Sequence, residues 1–436
     1  MIRSYRLRKL LAPTVGLQKA AGLLILGFLA LFLGGVLSFK NQIPTALRWI
    51  WLEVERSLRG FVDDNEISRS EWIIGGVLLA LGTWSAYRGL RAALTHILET
   101  FNPELKAGKM DVYLRRQQLA QGPRIVAMGG GTGLSTLLRG LKQQSSNITA
   151  IVTVTDDGGS SGRLIQDKGM IPPGDIRNCL VALSDAEKAM TDLFQHRFRN
   201  DSGSLSGHSI GNLLIAALVD QTHGDFEQAV ETASDVLAIR GRVLPATLGH
   251  VRLRAVLDGD IEICGETAIV AAGRRIRQLF LDPPDCKAHP AAIEAIRAAD
   301  LICIGPGSVY TSVIPNLLVP GVAQALRDAR APKVYICNVM TQPGESDSYT
   351  ASQHVTAILD CVQTRIFDYV LINTGRPSDS ALEKYRDAGQ HFVEADTDRV
   401  RALGVRVLQG NYMSEMDLVR HDPMKVVARL MTLVGR

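Results

Sequence analysis

Four segments of this 436-residue chain combine glycine with short polar side chains, as ligand loops do. The first is Gly129-Gly130-Gly131-Thr132-Gly133, between an apolar run and a helix-prone one. Glycines there let backbone N–H groups approach a phosphate, and the following helix N-terminus adds donors and a positive dipole end. The second is Asp156-Asp157-Gly158-Gly159-Ser160-Ser161-Gly162, after the β-branched run 148–155. An acid at the end of a second strand can accept from ribose hydroxyls. Paired acids can instead hold Mg²⁺ beside a diphosphate, with Asp157 the metal candidate. The third is Gly305-Pro306-Gly307-Ser308-Val309-Tyr310-Thr311-Ser312, and the fourth begins Asn338-Val339-Met340-Thr341 and ends at Glu345.

Two further clusters sit where helices should start. In Pro172-Pro173-Gly174-Asp175-Ile176-Arg177-Asn178, Asp175 has the type and place of an N-cap, and Arg177 and Asn178 could reach a ligand one turn in. In Gly207-His208-Ser209-Ile210-Gly211-Asn212, small residues again allow close approach, with His208 and Asn212 as contacts. A nucleophilic pairing of His208 with Ser209 is the weakest of these readings. There is no Gly-Lys-Ser/Thr phosphate loop, no G-x-G-x-x-G fingerprint and no His-Glu-x-x-His. The site is expected to hold an anionic, nucleotide-like ligand through backbone and small polar groups. Asp156 and Asp157 would be catalytic only if a phospho-group is transferred. No cofactor is required by these motifs, and Mg²⁺ is the one ion they could use.

The elements that must position these loops follow from periodicity. Strands are expected at 124–128, 148–155, 300–304, 333–337 and 368–372, alternating with helices at 134–142, 293–299 and 350–361. Such alternation predicts a Rossmann-like, doubly wound, mostly parallel sheet. All four loops then fall at strand C-termini, on one edge of the sheet, where open α/β sheets bind ligands. Residues 176–240 read as nearly all helical, and 243–281 as short strands forming an elaboration or small lobe.

The N-terminal part reads differently. Residues 20–39 carry no charge, and 72–87 form a second apolar run with Trp72, Trp84 and Tyr87 near its ends. Both suit membrane spans. Basic residues concentrate before the first run and after the second, while the loop between holds five basic residues and six acids. The positive-inside rule places both termini in the cytoplasm, with 1–90 a hairpin in the inner (plasma) membrane, 91–122 a linker and 123–436 a cytoplasmic domain. Net charge is +4, yet all the basic excess lies before residue 123, so nothing marks the large domain for nucleic acid. Cysteines 179, 264, 286, 303, 337 and 361 are scattered and read as reduced, mostly buried thiols.

The motifs G-G-G-T-G-L-S, V-T-D-D-G-G-S-S-G-R-L, P-P-G-D-I-R-N-C-L, G-H-S-I-G-N-L-L, V-L-P-A-T, G-P-G-S-V-Y-T-S and N-V-M-T-Q-P-G-E occur in order from about residue 124. Together they resemble the YvcK or gluconeogenesis factor family, a branch of the CofD-like superfamily. The resemblance implies a Rossmann-like protein that binds nucleotide-sugars of the UDP-sugar type and links carbon metabolism to cell shape and cell-wall synthesis. Cell-wall machinery and a second copy of the chain are the protein partners it implies. The sister branch, 2-phospho-L-lactate transferase, transfers phospholactate from a guanosine diphosphate adduct, and the T-D-D-G-G-S-S-G motif departs from it. The resemblance does not extend to the hairpin. A nicotinamide oxidoreductase would fit the fold, but the fingerprint is missing.

Overall fold

The computed structural model describes residues 15–38, 52–53, 56, 64–101, 110–185, 188–199, 203–415 and 419–435. The chain divides into two units, residues 1–115 and 116–436.

The first unit is an antiparallel pair of long helices, α1 (Val15–Ser38) and α2 (Asp64–Phe101). Lys19–Val36 and Ile73–Leu94 are each long and apolar enough to cross a membrane. α2 continues past the expected end of the second apolar run, because 88–101 keeps mostly good helix formers and no proline. The pair packs through small residues at seven-residue spacing: Ala20, Gly27 and Gly34 on α1, and Gly75, Gly82 and Gly89 on α2. A Cβ on Gly27 would stand 2.6 Å from the Ala86 nitrogen, and one on Gly82 2.8 Å from the Leu31 nitrogen. Without side chains in the seam the two backbones approach closely, the packing route open to helices in lipid. Ser85 Oγ also donates to the Leu23 carbonyl at 2.9 Å. Ile25, Phe28, Leu29, Val77, Leu81 and Trp84 point outward and are exposed.

In the second unit, helix α3 (Met110–Ala120) precedes β1 (Ile125–Gly129), α4 (Gly131–Leu141), β2 (Ile148–Val152), α5 (Gly159–Lys168) and α6 (Gly174–Leu183). Helices α7 (Lys188–Gln195), α8 (Ile210–Gln221) and α9 (Phe226–Val236) then lead to β3 (Arg242–Pro245). A separate antiparallel sheet of β4 (Arg252–Leu257), β5 (Ile261–Cys264) and β6 (Ile276–Asp282) carries α10 (Glu266–Ala271). The main sheet resumes with α11 (Pro290–Ala298), β7 (Leu301–Ile304), a π-helical turn (Val309–Val313), α12 (Ile314–Leu318), α13 (Val322–Asp328) and β8 (Lys333–Ile336). It ends with α14 (Ala351–Val362), β9 (Tyr369–Asn373), α15 (Asp379–Asp387), α16 (Thr397–Ala402) and β10 (Arg406–Gly410). The short pair β11 (Met413–Ser414) and β12 (Arg420–His421) precedes α17 (Pro423–Met431).

The main sheet has seven parallel strands in the order β10-β9-β8-β7-β1-β2-β3. From β1 the chain winds outward through β2 and β3, then returns to the other side of β1 and winds away through β7 to β10. The order therefore reverses between β1 and β7, the point where such sheets open a ligand crevice. β1, β2, β7 and β8 are buried along their whole length, as a sheet covered on both faces requires. Each buried Ile or Leu there contributes about 1.5–3 kcal/mol of transfer free energy. One expectation needs correcting. Residues 242–245 join the main sheet as its edge strand instead of the small lobe, because the α9 crossover returns the chain parallel to β2. All six cysteines are free, four of them buried.

Candidate functional site

All four loops lie at the C-terminal edge of the sheet, and 129–133, 305–312 and 338–345 are tied to one another at the β1/β7 reversal. Gly131 opens α4 at φ +64° and Gly305 follows β7 at φ +77°, backbone that favours glycine. A Cβ on Gly133 would stand 2.5 Å from the Pro306 carbonyl oxygen, so the first and third loops touch through backbone. Asn338 clamps Gly307: its Nδ2 donates to the Gly307 carbonyl at 2.8 Å and its Oδ1 accepts from the Gly307 N–H at 3.2 Å. Glu345 Oε1 accepts from Thr311 Oγ1 at 2.9 Å, and its carboxylate faces Ser308 and the N–H groups of Tyr310 and Thr311. Glu345 thus caps the π-helical turn, and burial raises its pKa. Thr341 is buried, and its Oγ1 accepts from the His391 N–H. Asn338, Thr341, Ser308 and Thr311 therefore hold loops together.

The acids separate. Asp157 turns away to α10, where Oδ1 accepts from the Thr267 N–H at 2.9 Å and from its hydroxyl at 2.7 Å. It caps that helix from across the fold, which leaves it poorly placed as a metal ligand. Asp156 stays at the crevice: Oδ1 accepts from the Gly158 N–H at 3.0 Å, and Oδ2 lies 2.8 Å from where a Cβ on Gly174 would be. A Cβ there would also meet Ser161 Oγ at 2.6 Å, so Gly174 is what lets α6 approach this loop. Asp175 is not the N-cap of α6. That position is Pro173, and Asp175 lies in the first turn. Its carboxylate instead accepts from the Gly131 N–H, at the start of α4. An internal carboxylate thus occupies part of the helix terminus expected to hold phosphate, while Thr132 and Gly133 beside it remain on a cavity wall. Burial, then the charge of Asp156, pushes the Asp175 carboxyl up to about 6.

Glu266, the first residue of α10, joins this acidic wall and carried no motif signal in the sequence. Burial pushes its carboxyl up to about 9, with the charges of Asp156, Asp175, Glu345 and Asp157 adding to the effect. Among the described residues no three His, Cys, Asp or Glu side chains are grouped to hold a metal ion.

The second wall is a buried polar chain. Asn212 Nδ2 donates to Ser160 Oγ at 3.0 Å, and Ser160 Oγ lies 2.9 Å from His208 Nδ1. The direction of the Ser160–His208 bond follows the imidazole tautomer. Burial, then the charge of Arg163, lowers the His208 pKa. Ser209 is committed elsewhere, capping α8 through the Asn212 N–H and accepting from Arg177. The His208–Ser209 nucleophile pair is thus corrected: the serine on His208 is Ser160. Arg177 and Asn178 are joined as well, Nη2 donating to Oδ1 at 2.7 Å.

A cavity of about 230 Å³ opens on the other side of the reversal point. Thr132, Gly133, Gly307, Asn338 and Thr341 line it from the expected set. Gln342 of the fourth loop and Thr136, just after the first, line it too, as do Tyr385, Gln390, Arg420 and His421, which stand singly on distant elements and gave no signal in the sequence. Arg420 is the one Arg or Lys among the lining residues. His421 is buried, which lowers its pKa to about 4, so it is neutral near pH 7.

This architecture has relatives. The profile of the family described as 2-phospho-L-lactate transferase CofD matches residues 125–413. The gluconeogenesis factor of Bacillus subtilis is 48% identical over 317 residues, covering 72% of this chain and 99% of its own. The chain belongs to the gluconeogenesis factor branch of the CofD family. A Nostoc sp. relative is 46% identical over 433 residues, covering 98% of this chain and 92% of its own, so that match includes the helical hairpin. A crystal structure of a family member from Bacillus halodurans superposes with a TM-score of 0.69 at 48% identity, over 71% of this chain and 99% of that one. The match to the 2-phospho-L-lactate transferase profile shows shared fold and ancestry, and the site's own chemistry must argue for any activity.

Proposed function

We propose that the crevice binds a nucleotide-sugar of the UDP-sugar type and that the protein is a membrane-tethered regulator built on that binding. The lining of the 230 Å³ cavity carries this reading. It offers the N-terminal turn of α4, the Gly307 backbone and a single guanidinium, Arg420, for a diphosphate. Gln342 and Gln390 supply the paired donors and acceptors that a base or sugar needs. Its lining residues include no carboxylate, cysteine or lysine, and its histidine is neutral. That inventory suits holding a ligand better than transforming it. The volume falls below the roughly 300–1,000 Å³ of typical small-molecule sites, so one segment of the ligand sits inside and the rest extends through the open mouth.

The apolar hairpin supports attachment to the inner membrane, with both termini and the large domain on the cytoplasmic side. Homo-oligomers, and contact with cell-wall machinery through which cell shape would be regulated, belong to the same proposal.

Calorimetry of the full chain in nanodiscs, with UDP-sugars and with EDTA as a metal control, tests the binding. Arg420→Gln should weaken it about tenfold, the 1.4 kcal/mol of one charge-assisted contact. If no UDP-sugar gives heat while another nucleotide does, the reading fails. A second reading, transfer of a phospho-group from a nucleotide-diphosphate donor, is favoured by the acid wall beside the crevice. Asp156→Asn should then stop product formation and leave donor binding intact.

A further inference from the structure

Outside that cavity, three guanidinium groups from three separate elements meet at the turn that starts α8. Arg177 of α6 donates through Nη1 to Ser209 Oγ and through Nη2 to Asn178. Arg197, after α7, donates to the Gly207 carbonyl at 2.6 Å. Arg163 of α5 places Nη2 3.2 Å from where a Cβ on Gly207 would stand. None of the three makes an ion pair with a carboxylate among the described residues, although arginines elsewhere in this unit do.

Such an arrangement costs stability when the protein is empty. Arg177 is only 8% exposed, and its Nε has no hydrogen-bond partner. A buried charge is usually paired with an opposite one, because neutral partners replace its hydration poorly. The nearest acids, Asp175 and Asp156, act on Arg177 from beyond contact distance, and Asp167 acts likewise on His208. The N-terminus of the twelve-residue α8 opens here too, and its dipole favours negative charge. The three arginines are graded in access: Arg197 is exposed, Arg163 half-buried and Arg177 buried. A small anion could enter past Arg197 and Arg163 toward Arg177.

We propose that Arg163, Arg177 and Arg197 form an anion subsite for a phosphate monoester, distinct from the cavity at Arg420. A tetrahedral dianion suits three guanidinium groups that keep N–H donors beyond those given to Ser209, Asn178 and the Gly207 carbonyl. The ligand class is a small phosphorylated metabolite. The subsite does not depend on the nucleotide-sugar reading.

The test uses the full chain in nanodiscs, with inorganic phosphate as probe at fixed ionic strength. The double variant Arg163→Gln/Arg197→Gln alters only accessible positions and should fold. It should weaken phosphate binding about tenfold or more, each tenfold being 1.4 kcal/mol, while UDP-sugar binding stays within about twofold. Arg420→Gln should do the reverse. The subsite is disproved if wild type binds no phosphate, if the double variant binds it unchanged, or if Arg420→Gln is what removes it. Loss of UDP-sugar binding in wild type, with phosphate still dependent on Arg163 and Arg197, would sink the nucleotide-sugar reading and leave this one standing.

Discussion

Gly133→Ala is the sharpest probe of the β1/β7 junction. The added methyl would sit 2.5 Å from the Pro306 carbonyl oxygen, 2.8 Å from its carbon and 3.1 Å from the Gly307 nitrogen, against 3.4–4 Å for ordinary contact. These are backbone atoms in a loop clamped by Asn338, so no side chain can swing aside. Gly133 has no positive φ, so the effect is purely steric. Overpacking of this kind costs about 1–3 kcal/mol. For a unit of this size that is a fall of roughly 1.5–4.5 °C in Tm, at about 1.5 °C per kcal/mol. Because Gly133 also lines the cavity, ligand affinity should fall with it. Calorimetry is the proper assay, since all four tryptophans (49, 51, 72 and 84) lie in the other unit and fluorescence would miss this transition. Gly249→Ala is the control: its Cβ meets nothing closer than Thr247 Oγ1 at 3.3 Å, and an exposed site should stay within about 0.5 kcal/mol. A Gly133→Ala protein that melts within about 1 °C of wild type and binds ligand equally well would refute the close junction.

Asp157→Ala should remove the long-range cap on α10, cost about 1 kcal/mol in thermal unfolding and leave UDP-sugar affinity unchanged. Lost binding at unchanged stability would instead make Asp157 a ligand contact. The raised carboxyls of Glu266 and Asp175 make stability depend on pH. Each binds its proton more tightly folded than unfolded, so stability is full below the unfolded value and declines as pH rises to the folded one. The window runs from about 4.5 to about 9 for Glu266 and from 3.8 to about 6 for Asp175. Glu266→Gln should therefore match wild type at the acid end and surpass it progressively toward pH 9, and parallel Tm curves would count against the buried carboxyl. In the hairpin, Gly82→Leu should splay α1 from α2 and lower its midpoint in detergent titration followed by tryptophan fluorescence, whereas Gly76→Leu, with open space around its Cβ, should not.

The reach of sequence reasoning followed the range of the interactions. Apolar runs ending in glycine loops are local signals, so the parallel sheet and the meeting of 129–133, 156–162, 305–312 and 338–345 at one edge could be read directly. The jobs of individual residues could not. Asp157 bonds Thr267, 110 residues away, and Asp175 reaches back to Gly131. Neither partner is marked by its own neighbours in the chain. Arg420, Gln390 and Glu266 sit in no motif, and only the folded chain brings them to the crevice. The seven-residue spacing of the hairpin glycines is present in the sequence too, but it takes its meaning from the paired helices.

The carboxylate of Asp175 on the Gly131 N–H has one more consequence. A phosphate arriving at the full α4 terminus would not fill a vacancy; it would exchange with an anion the protein already carries. Measured affinity would then be the difference between two anions for the same donor, and release of Asp175 into water would be part of every binding event. Since the displaced carboxyl titrates near 6, binding near that pH would also move a proton, and the observed heat would change with the ionisation enthalpy of the buffer.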